Sequence, residues 1–277
     1  MKHVITGSLG NISRPLAEKL VQAGHHVTII SNDPNKVNEI RAMGAHPAIG
    51  NVEDRVFLIK AFEGADGAYL MIPPNPDWKR FQKIVTDNYL AAVQRAGIKH
   101  VVMLSSLGAH IGSGVGPVDG MSYLEKQLAG LNDVAVRVLR AGYFYSNLFV
   151  QMSPGTLGST QPADFKPVWA HTDDIADVAA AYLADSTFTG FTYEAVVSDD
   201  TLTWEEIAQV LGLTYVQLTD AEFREGMLRA GLPPTIADAF VALGKAMREG
   251  QMYEEYWKNP PHTLGKIKLR DALKALA

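Results

Sequence analysis

Near its start the chain reads Val4-Ile5-Thr6-Gly7-Ser8-Leu9-Gly10-Asn11-Ile12-Ser13-Arg14-Pro15. A short β-branched run, a turn with two glycines, and an apolar stripe at Ile12, Leu16 and Leu20 make a strand, a tight loop and a helix start. Such a junction can hold a pyrophosphate. Gly7 permits the turn, Gly10 lets backbone amides approach the anion, and the helix start supplies free N–H donors with a positive dipole end. Pro15 falls in the first helical turn, where its missing N–H does little harm. Ser13 holds the third small position, where the fingerprint has glycine, and still allows close helix–sheet packing. A plain glycine turn would use the same residues. The setting, at the sixth residue of a strand–helix alternation, favours a dinucleotide.

The nucleotide is read about 20 positions on, at the end of the second strand, where an acid would bind a ribose 2′-hydroxyl. Here that strand ends Ile29-Ile30-Ser31-Asn32-Asp33. Ser31, Asn32 and Lys36 offer neutral and charged donors to a 2′-phosphate, while Asp33 sits late and suits a capped turn. This set favours NADP over NAD, with an ordinary Ser-Asn-Asp-Pro turn as the alternative.

Other groups bear on chemistry. Ser105 and Ser106 end a strand on the crevice side, where a hydroxyl can meet a carbonyl or a ribose, or bond its own backbone. Tyr143, Phe144, Tyr145 and Asn147 form an aromatic group suited to a flat substrate, or to core packing. His171-Thr172-Asp173-Asp174 reads as a helix start, with Thr172 or Asp173 as the cap. The eight histidines are scattered and suggest no metal site. There is no Gly-x-Ser-x-Gly elbow for hydrolysis. The absence of cysteine excludes disulfides, thiolate metal sites and a thiol nucleophile.

The elements that position these groups alternate. Strands are expected at Val4–Thr6, His26–Ile30, Ala45–Ile49, Gly67–Ile72 and Val101–Leu104. Helices are expected over Ile12–Leu20, Asn35–Met43, Asp54–Phe62 and Trp78–Ala96. This is the pattern of a Rossmann-type, doubly wound parallel sheet. Gly108–Gly120 then reads as a loop, Ser122–Leu131 as a helix, Val134–Leu139 as a strand and Ser153–Pro167 as a loop. Asp173–Leu183 reads as a helix and Tyr193–Val197 as a strand. From Thr203 the tail reads as mostly helical, with helices at Trp204–Leu211, Asp220–Ala230 and Pro234–Gly250. The expected division is a Rossmann domain over 1–152, completed by about 168–198, with a smaller substrate lobe from 153–167 and 199–277.

With 277 residues, 47% of them hydrophobic and a net charge of −5, the chain can bury a full core and lacks the basic excess of a general nucleic-acid binder. No apolar run approaches the ~18 residues of a membrane span. Met1-Lys2-His3 leads straight into the first strand, with no room for a signal peptide. The expectation is a cytoplasmic protein with a small-molecule substrate.

Several blocks, in order, carry a resemblance. They are Thr6 to Ile12, Gly64-Ala65-Asp66-Gly67-Ala68, Val101 to Ser106, Glu125, Leu139-Arg140-Ala141-Gly142-Tyr143-Phe144-Tyr145-Ser146-Asn147, Trp169 to Ala176, and Leu202 to Ala208. Through them the chain resembles the NmrA-like, atypical short-chain dehydrogenase/reductase family, including its NAD(P)H:quinone reductase members. The resemblance implies cofactor contacts at Gly7, Ser8, Leu9, Gly10, Asn11, Ile12, Ser31, Asn32, Asn51 and Val52. It adds Met71, Ile72, Pro73, Pro74, Ser105, Ser106, Ala141, Gly142 and Tyr143. Many quinone-reductase-like members carry arginine where this chain has Ser31.

Working short-chain dehydrogenases place a tyrosine four residues before a lysine, whose charge lowers the tyrosine pKa. Here Tyr123 precedes Lys126 by three, and Gln127 fills the usual place. The two can share a helix face, or be an ordinary surface pair. The resemblance implies an NAD(P)H-dependent oxidoreductase acting on a quinone or similar small carbonyl compound. Tyr123, Lys126 and Asn147 are the catalytic candidates. A non-catalytic dinucleotide sensor that contacts a protein partner is the alternative, and a nucleotide-sugar epimerase the third reading.

Overall fold

The computed structural model describes residues 1–259 and 262–275. Its main sheet has eight strands. These are β1 (Lys2–Ile5), β2 (His26–Ser31), β3 (His46–Ile49), β4 (Gly67–Leu70), β5 (His100–Ser106), β6 (Ala135–Ala141), β11 (Phe191–Ser198) and β13 (Thr263–Gly265). Shorter strands are β7 (Tyr143–Phe144), β8 (Met152–Ser153), β9 (Thr156–Ser159), β10 (Trp169–Ala170) and β12 (Thr214–Gln217). The helices are α1 (Ser13–Gln22), α2 (Val37–Ala42), α3 (Arg55–Phe62), α4 (Trp78–Ala96), α5 (Val118–Ala129), α6 (Thr172–Asp185), α7 (Trp204–Val210), α8 (Asp220–Arg229), α9 (Pro234–Arg248), α10 (Glu254–Lys258) and α11 (Leu269–Lys274).

The main sheet runs β13-β11-β6-β5-β4-β1-β2-β3. Strand β1 pairs in parallel with both β2 and β4, β2 with β3, β4 with β5, and β11 with β13. The chain winds outward from β1 to β3 and then returns to β4. The order therefore reverses between β1 and β4, and ligands of such sheets bind beyond the carboxyl ends of the strands at that reversal. The glycine turn leaves β1 at that point.

Parallel strands are covered on both faces, which explains their continuous apolar runs. Ile5, Ile29, Ile30, Tyr69, Val101 and Val102 are all buried. Helix α1 turns Leu16, Ala17 and Leu20 inward, and burial of each leucine contributes about 2 kcal/mol. Helix α4 spans the residues its periodicity marks and ends at Gly97, whose φ of 68° gives the left-handed cap that glycine supplies best.

Three expectations are corrected. Gly108–Gly120 is not a continuous loop: a 3₁₀ turn occupies Ala109–Ile111, and α5 begins at Val118. Asp119 starts that helix early, its carboxylate accepting the backbone N–H groups of Gly114 and Val115. Ser153–Pro167 contains β9, which pairs antiparallel with β8 and parallel with β12. The tail is accordingly less helical than expected, since it supplies β12 to a three-stranded sheet and β13 to the edge of the main sheet.

By internal contacts the chain divides into two units. The first is Met1–Ser105, Tyr123–Leu139 and Ile175–Glu194; the second is Ser106–Ser122, Arg140–Asp174 and Ala195–Ala277. The second unit thus takes in residues 106–122 and 140–152. It holds two buried clusters, one around Leu107, Val118, Val197 and Met247, the other around Trp169, Trp204, Ile207 and Leu269.

Candidate functional site

The turn after β1 is built by hydroxyls. Thr6 is fully buried, and its Oγ1 accepts the Met71 N–H at 2.8 Å and donates to the Tyr69 carbonyl at 3.1 Å, tying the ends of β1 and β4 together. Ser13 Oγ donates to the Thr6 carbonyl at 2.8 Å. This explains a serine at the third small position, since it bonds the helix start to the strand end. Gly7 has φ of 92°, and a Cβ there would stand 2.6 Å from Ser13 Oγ, so nothing larger fits. Ser8 also takes a left-handed φ, 54°, a conformation costing a serine roughly 1 kcal/mol or more. Its hydroxyl donates to Ser31 Oγ at 2.8 Å and its N–H to the Ile30 carbonyl at 3.0 Å, which fixes the turn onto β2.

The start of α1 is left open. Its N-cap residue is Ile12, no side chain caps it, and no acid stands in its first turn. Leu9 is half-buried, while Gly10 and Asn11 are exposed. The Arg14 N–H bonds the Gly10 carbonyl at 3.0 Å and Pro15 has none, so the N–H groups of Asn11, Ile12 and Ser13 and the dipole end are what an anion can meet, and these residues fit the pyrophosphate of a dinucleotide.

Ser31 is buried, and its Oγ also accepts the Asp33 N–H at 3.1 Å. Its oxygen therefore accepts twice within the turn, which leaves its own O–H as a donor. Asp33 caps the next turn as expected, accepting the Asn35 N–H at 2.9 Å. The charged groups nearby are Arg14 and Lys36, which converge on Glu39: Arg14 Nη2 pairs with Oε1, and Lys36 Nζ lies 3.1 Å from Oε2. Hydrogen bonds from Arg14, then Lys36, hold the Glu39 carboxyl below the ordinary range.

Asn51 Oδ1 accepts the Glu53 N–H at 2.9 Å, an Asx turn after β3, and the carbonyl of Val52 accepts from Asn88 Nδ2 at 3.1 Å. The Met71 carbonyl accepts the Tyr89 hydroxyl at 2.9 Å. Ile72 is buried and opens into Pro73 and Pro74, which lack amide donors. Ser105 donates to the Glu125 carboxylate, both buried.

Tyr123 turns elsewhere. Its hydroxyl lies 3.2 Å from Asp87 Oδ1 and 3.4 Å from Lys83 Nζ, both on α4, and Lys83 sits over its ring. The structure thus brings Tyr123 to α4, and Glu125, between Tyr123 and Lys126, is the α5 side chain that meets the end of β5.

The remaining candidates lie in the second unit. Ser106 Oγ donates to the Leu107 carbonyl at 2.9 Å. Ala141 is buried, and Gly142 passes so close to β10 that a Cβ would stand 2.6 Å from the Val168 carbonyl. The Tyr143 hydroxyl accepts from Gln151 Nε2 at 2.8 Å, and that of Tyr145 donates to the Ile267 carbonyl at 2.8 Å. Burial raises both tyrosine pKa values. Tyr145 is thus a strut, while Phe144 and Asn147 are half-buried. The start of α6 is a correction: neither Thr172 nor Asp173 is the cap, because His171 Nδ1 accepts the Asp173 N–H at 3.1 Å. Asp174 instead reaches the backbone N–H groups of Lys266 and Ile267.

Residues 7–141 match a family described as NAD(P)H-binding. The chain is similar to quinone oxidoreductase 2 of Escherichia coli, at 26% identity over 264 residues, covering 91% of this chain and 90% of that protein. It is also similar to the NAD(P)H azoreductase of Xenophilus azovorans, at 25% identity, covering 85% and 84%. Among solved structures, an NADPH-dependent quinone oxidoreductase from Escherichia coli in complex with NADPH superposes with a TM-score of 0.79 at 21% identity, covering 99% of each chain. The negative transcriptional regulator NmrA in complex with NADP does so with 0.71 at 17%, covering 99% of this chain and 90% of that one.

Sequence reasoning missed several supports of the glycine turn and the strand ends beside it. Asn88 and Tyr89 pin the loops after β3 and β4 from α4, and Glu125 receives Ser105. A polar Asn on the buried face of an otherwise amphipathic helix was the available signal for Asn88, since such a group must find a partner.

Proposed function

We propose that the chain is an NAD(P)H-dependent oxidoreductase that reduces a quinone or a similarly flat acceptor. The observation that carries this reading is the likeness, over about nine-tenths of both chains, to a quinone oxidoreductase. Gly7 through Ile12 would hold the pyrophosphate, and Ser31 and Asn32 the adenosine ribose. Asn51, Val52, the Met71–Pro74 loop and Ser105 would line the rest of the cofactor path in the first unit. When bound, the reduced nicotinamide supplies a hydride. A quinone that takes this hydride needs one further proton to become the hydroquinone, and water can provide it. The engagement of Tyr123 with α4 is therefore compatible with turnover. Phe144 and Asn147 are the half-buried members of the aromatic group we propose for contact with the acceptor.

We further propose NADPH over NADH, with Arg14 and Lys36 as the charges for a 2′-phosphate in place of an arginine at position 31. Replacing both by alanine is expected to weaken NADPH by roughly tenfold or more, the worth of a charge-assisted contact, and to leave NADH unchanged. Equal losses for both nucleotides would refute this assignment.

The test of the activity is oxidation of NADPH and NADH against a panel of quinones and azo dyes. Acceptor-dependent loss of reduced nicotinamide absorbance is expected. Tight NADPH binding with no turnover on any acceptor would instead favour the regulatory reading, which the likeness to NmrA keeps in view.

A further inference from the structure

Two cations stand near the end of β2, where the proposed nucleotide places its adenosine ribose, and both are already engaged. Arg14 lies in the first turn of α1, and Lys36 ends the 3₁₀ turn Pro34–Lys36. Arg14 Nη2 pairs with Glu39 Oε1, and Lys36 Nζ lies 3.1 Å from Glu39 Oε2, so one carboxylate gives an oxygen to each cation. Arg14 Nη1 also lies 3.9 Å from Glu18 Oε1. All four side chains are 38–43% exposed. A ligand can therefore reach them, and pairs this exposed are readily exchanged.

Glu39 stands in the first turn of α2, where an acid suits the helix dipole. That role needs no cation from another helix, whereas Arg14 comes from α1. The charges decide what the cluster offers. Arg14 and Lys36 supply two positive charges and Glu18 and Glu39 two negative ones, so the four cancel. Asp33, one residue past Asn32, adds a further carboxylate. A phosphate monoester carries about −1.5 to −2 near pH 7. It gains little from two cations that a carboxylate already neutralises, while an uncharged ribose hydroxyl is indifferent to them. We propose that Glu39 is a specificity-determining residue: it holds Arg14 and Lys36, competes with the 2′-phosphate for them, and so restrains the preference for NADPH over NADH. The inference rests on the nucleotide placement proposed above.

The test is the affinity of Glu39→Gln for NADPH and NADH, and for 2′,5′-ADP and 5′-AMP, which differ by the 2′-phosphate alone. Calorimetry reads the binding, and melting temperatures confirm folding. Glutamine keeps the shape of the side chain and removes its charge. NADPH and 2′,5′-ADP are expected to bind the variant roughly fivefold or more tightly than the parent, with NADH and 5′-AMP unchanged. The gain should shrink in high salt, which screens exposed charges. Glu18→Gln, which releases Arg14 alone, should gain less. Glu39→Ala serves if the glutamine variant is unstable. Unchanged or weaker NADPH binding by folded Glu39→Gln overturns the proposal. So does an equal gain for both nucleotides, or a gain as large from Glu18→Gln. A parent that binds neither dinucleotide, or a double alanine variant of Arg14 and Lys36 that loses both equally, overturns the nucleotide placement itself and the proposal with it.

Discussion

Helices α1, α7 and α8 begin with the same physical problem, unpaired N–H groups in the first turn, and the chain treats them oppositely. At α7 and α8 the donors are satisfied internally, by capping boxes of Thr203 with Glu206 and Thr219 with Glu222. At α1 there is no cap and no acid, although the turn before it is braced by Thr6, Ser8, Ser13 and Ser31. The lesson is that rigidity and satisfaction have been separated. The turn is fixed by bonds behind it, and the N–H groups of Asn11 to Ser13 in front are left for an anion.

The strongest way to break this contrast is Gly10→Val. A Cβ at this position would stand 3.0 Å from the Gly7 carbonyl, so the turn must open by a few tenths of an ångström, and the branched side chain would occupy space a pyrophosphate needs. We expect at least roughly a hundredfold loss of NADPH affinity, read by intrinsic tryptophan fluorescence, with little change in melting temperature.

A second contrast lies at the two ends of β1. One feeds the open turn; the other buries His3, whose ring nitrogens have no hydrogen-bond partner among the described residues and whose ring centroid lies 5.1 Å from that of His25. Burial, then the charge of His25, lowers its pKa from 6.5 to about 4. The unfolded chain therefore binds a proton between these values that the folded chain does not. The stabilisation is complete above pH 6.5 and is lost as pH falls toward 4, to the extent of roughly 3 kcal/mol. His3→Leu should flatten the melting temperature between pH 7 and 5; an unchanged slope would show that other groups set it.

Smaller changes sharpen the comparison. Asn11→Asp places a carboxylate beside the open helix start. It should hold or raise stability while weakening NADPH by about tenfold, because it supplies in place the charge that α1 otherwise takes from a ligand. A variant that binds NADPH as tightly as the parent would mean that the helix start is not where the anion sits. Thr203→Ala, at a capped helix, should do the converse, costing about 1 kcal/mol of stability in denaturant melts and leaving NADPH affinity alone.

What the sequence made legible follows from the range of the interactions. The βα alternation and α4 were readable because burial and helical spacing are local patterns. Strand β9, Thr-Leu-Gly-Ser, was not, because its parallel partner β12 lies far along the chain and its composition reads as a loop. Likewise the glycine turn was plain, but its bracing was not: Ser8 meets Ser31, and Ser105 meets Glu125, across 23 and 20 residues. His171 was misjudged because an imidazole is a rare cap, and the acids beside it match the usual pattern better. The spacing of Tyr123 and Lys126 invited pairing, whereas α4 supplies Asp87 and Lys83 to the tyrosine hydroxyl.

The central claim is that the open start of α1, behind Gly7 and Gly10, takes the cofactor's pyrophosphate. It is tested most directly by measuring the NADPH dissociation constant of the parent and of Gly10→Val side by side, with melting temperatures to confirm folding. The account predicts saturable binding by the parent and at least roughly a hundredfold weaker binding by an equally stable variant. Equal affinity in two folded proteins would contradict it.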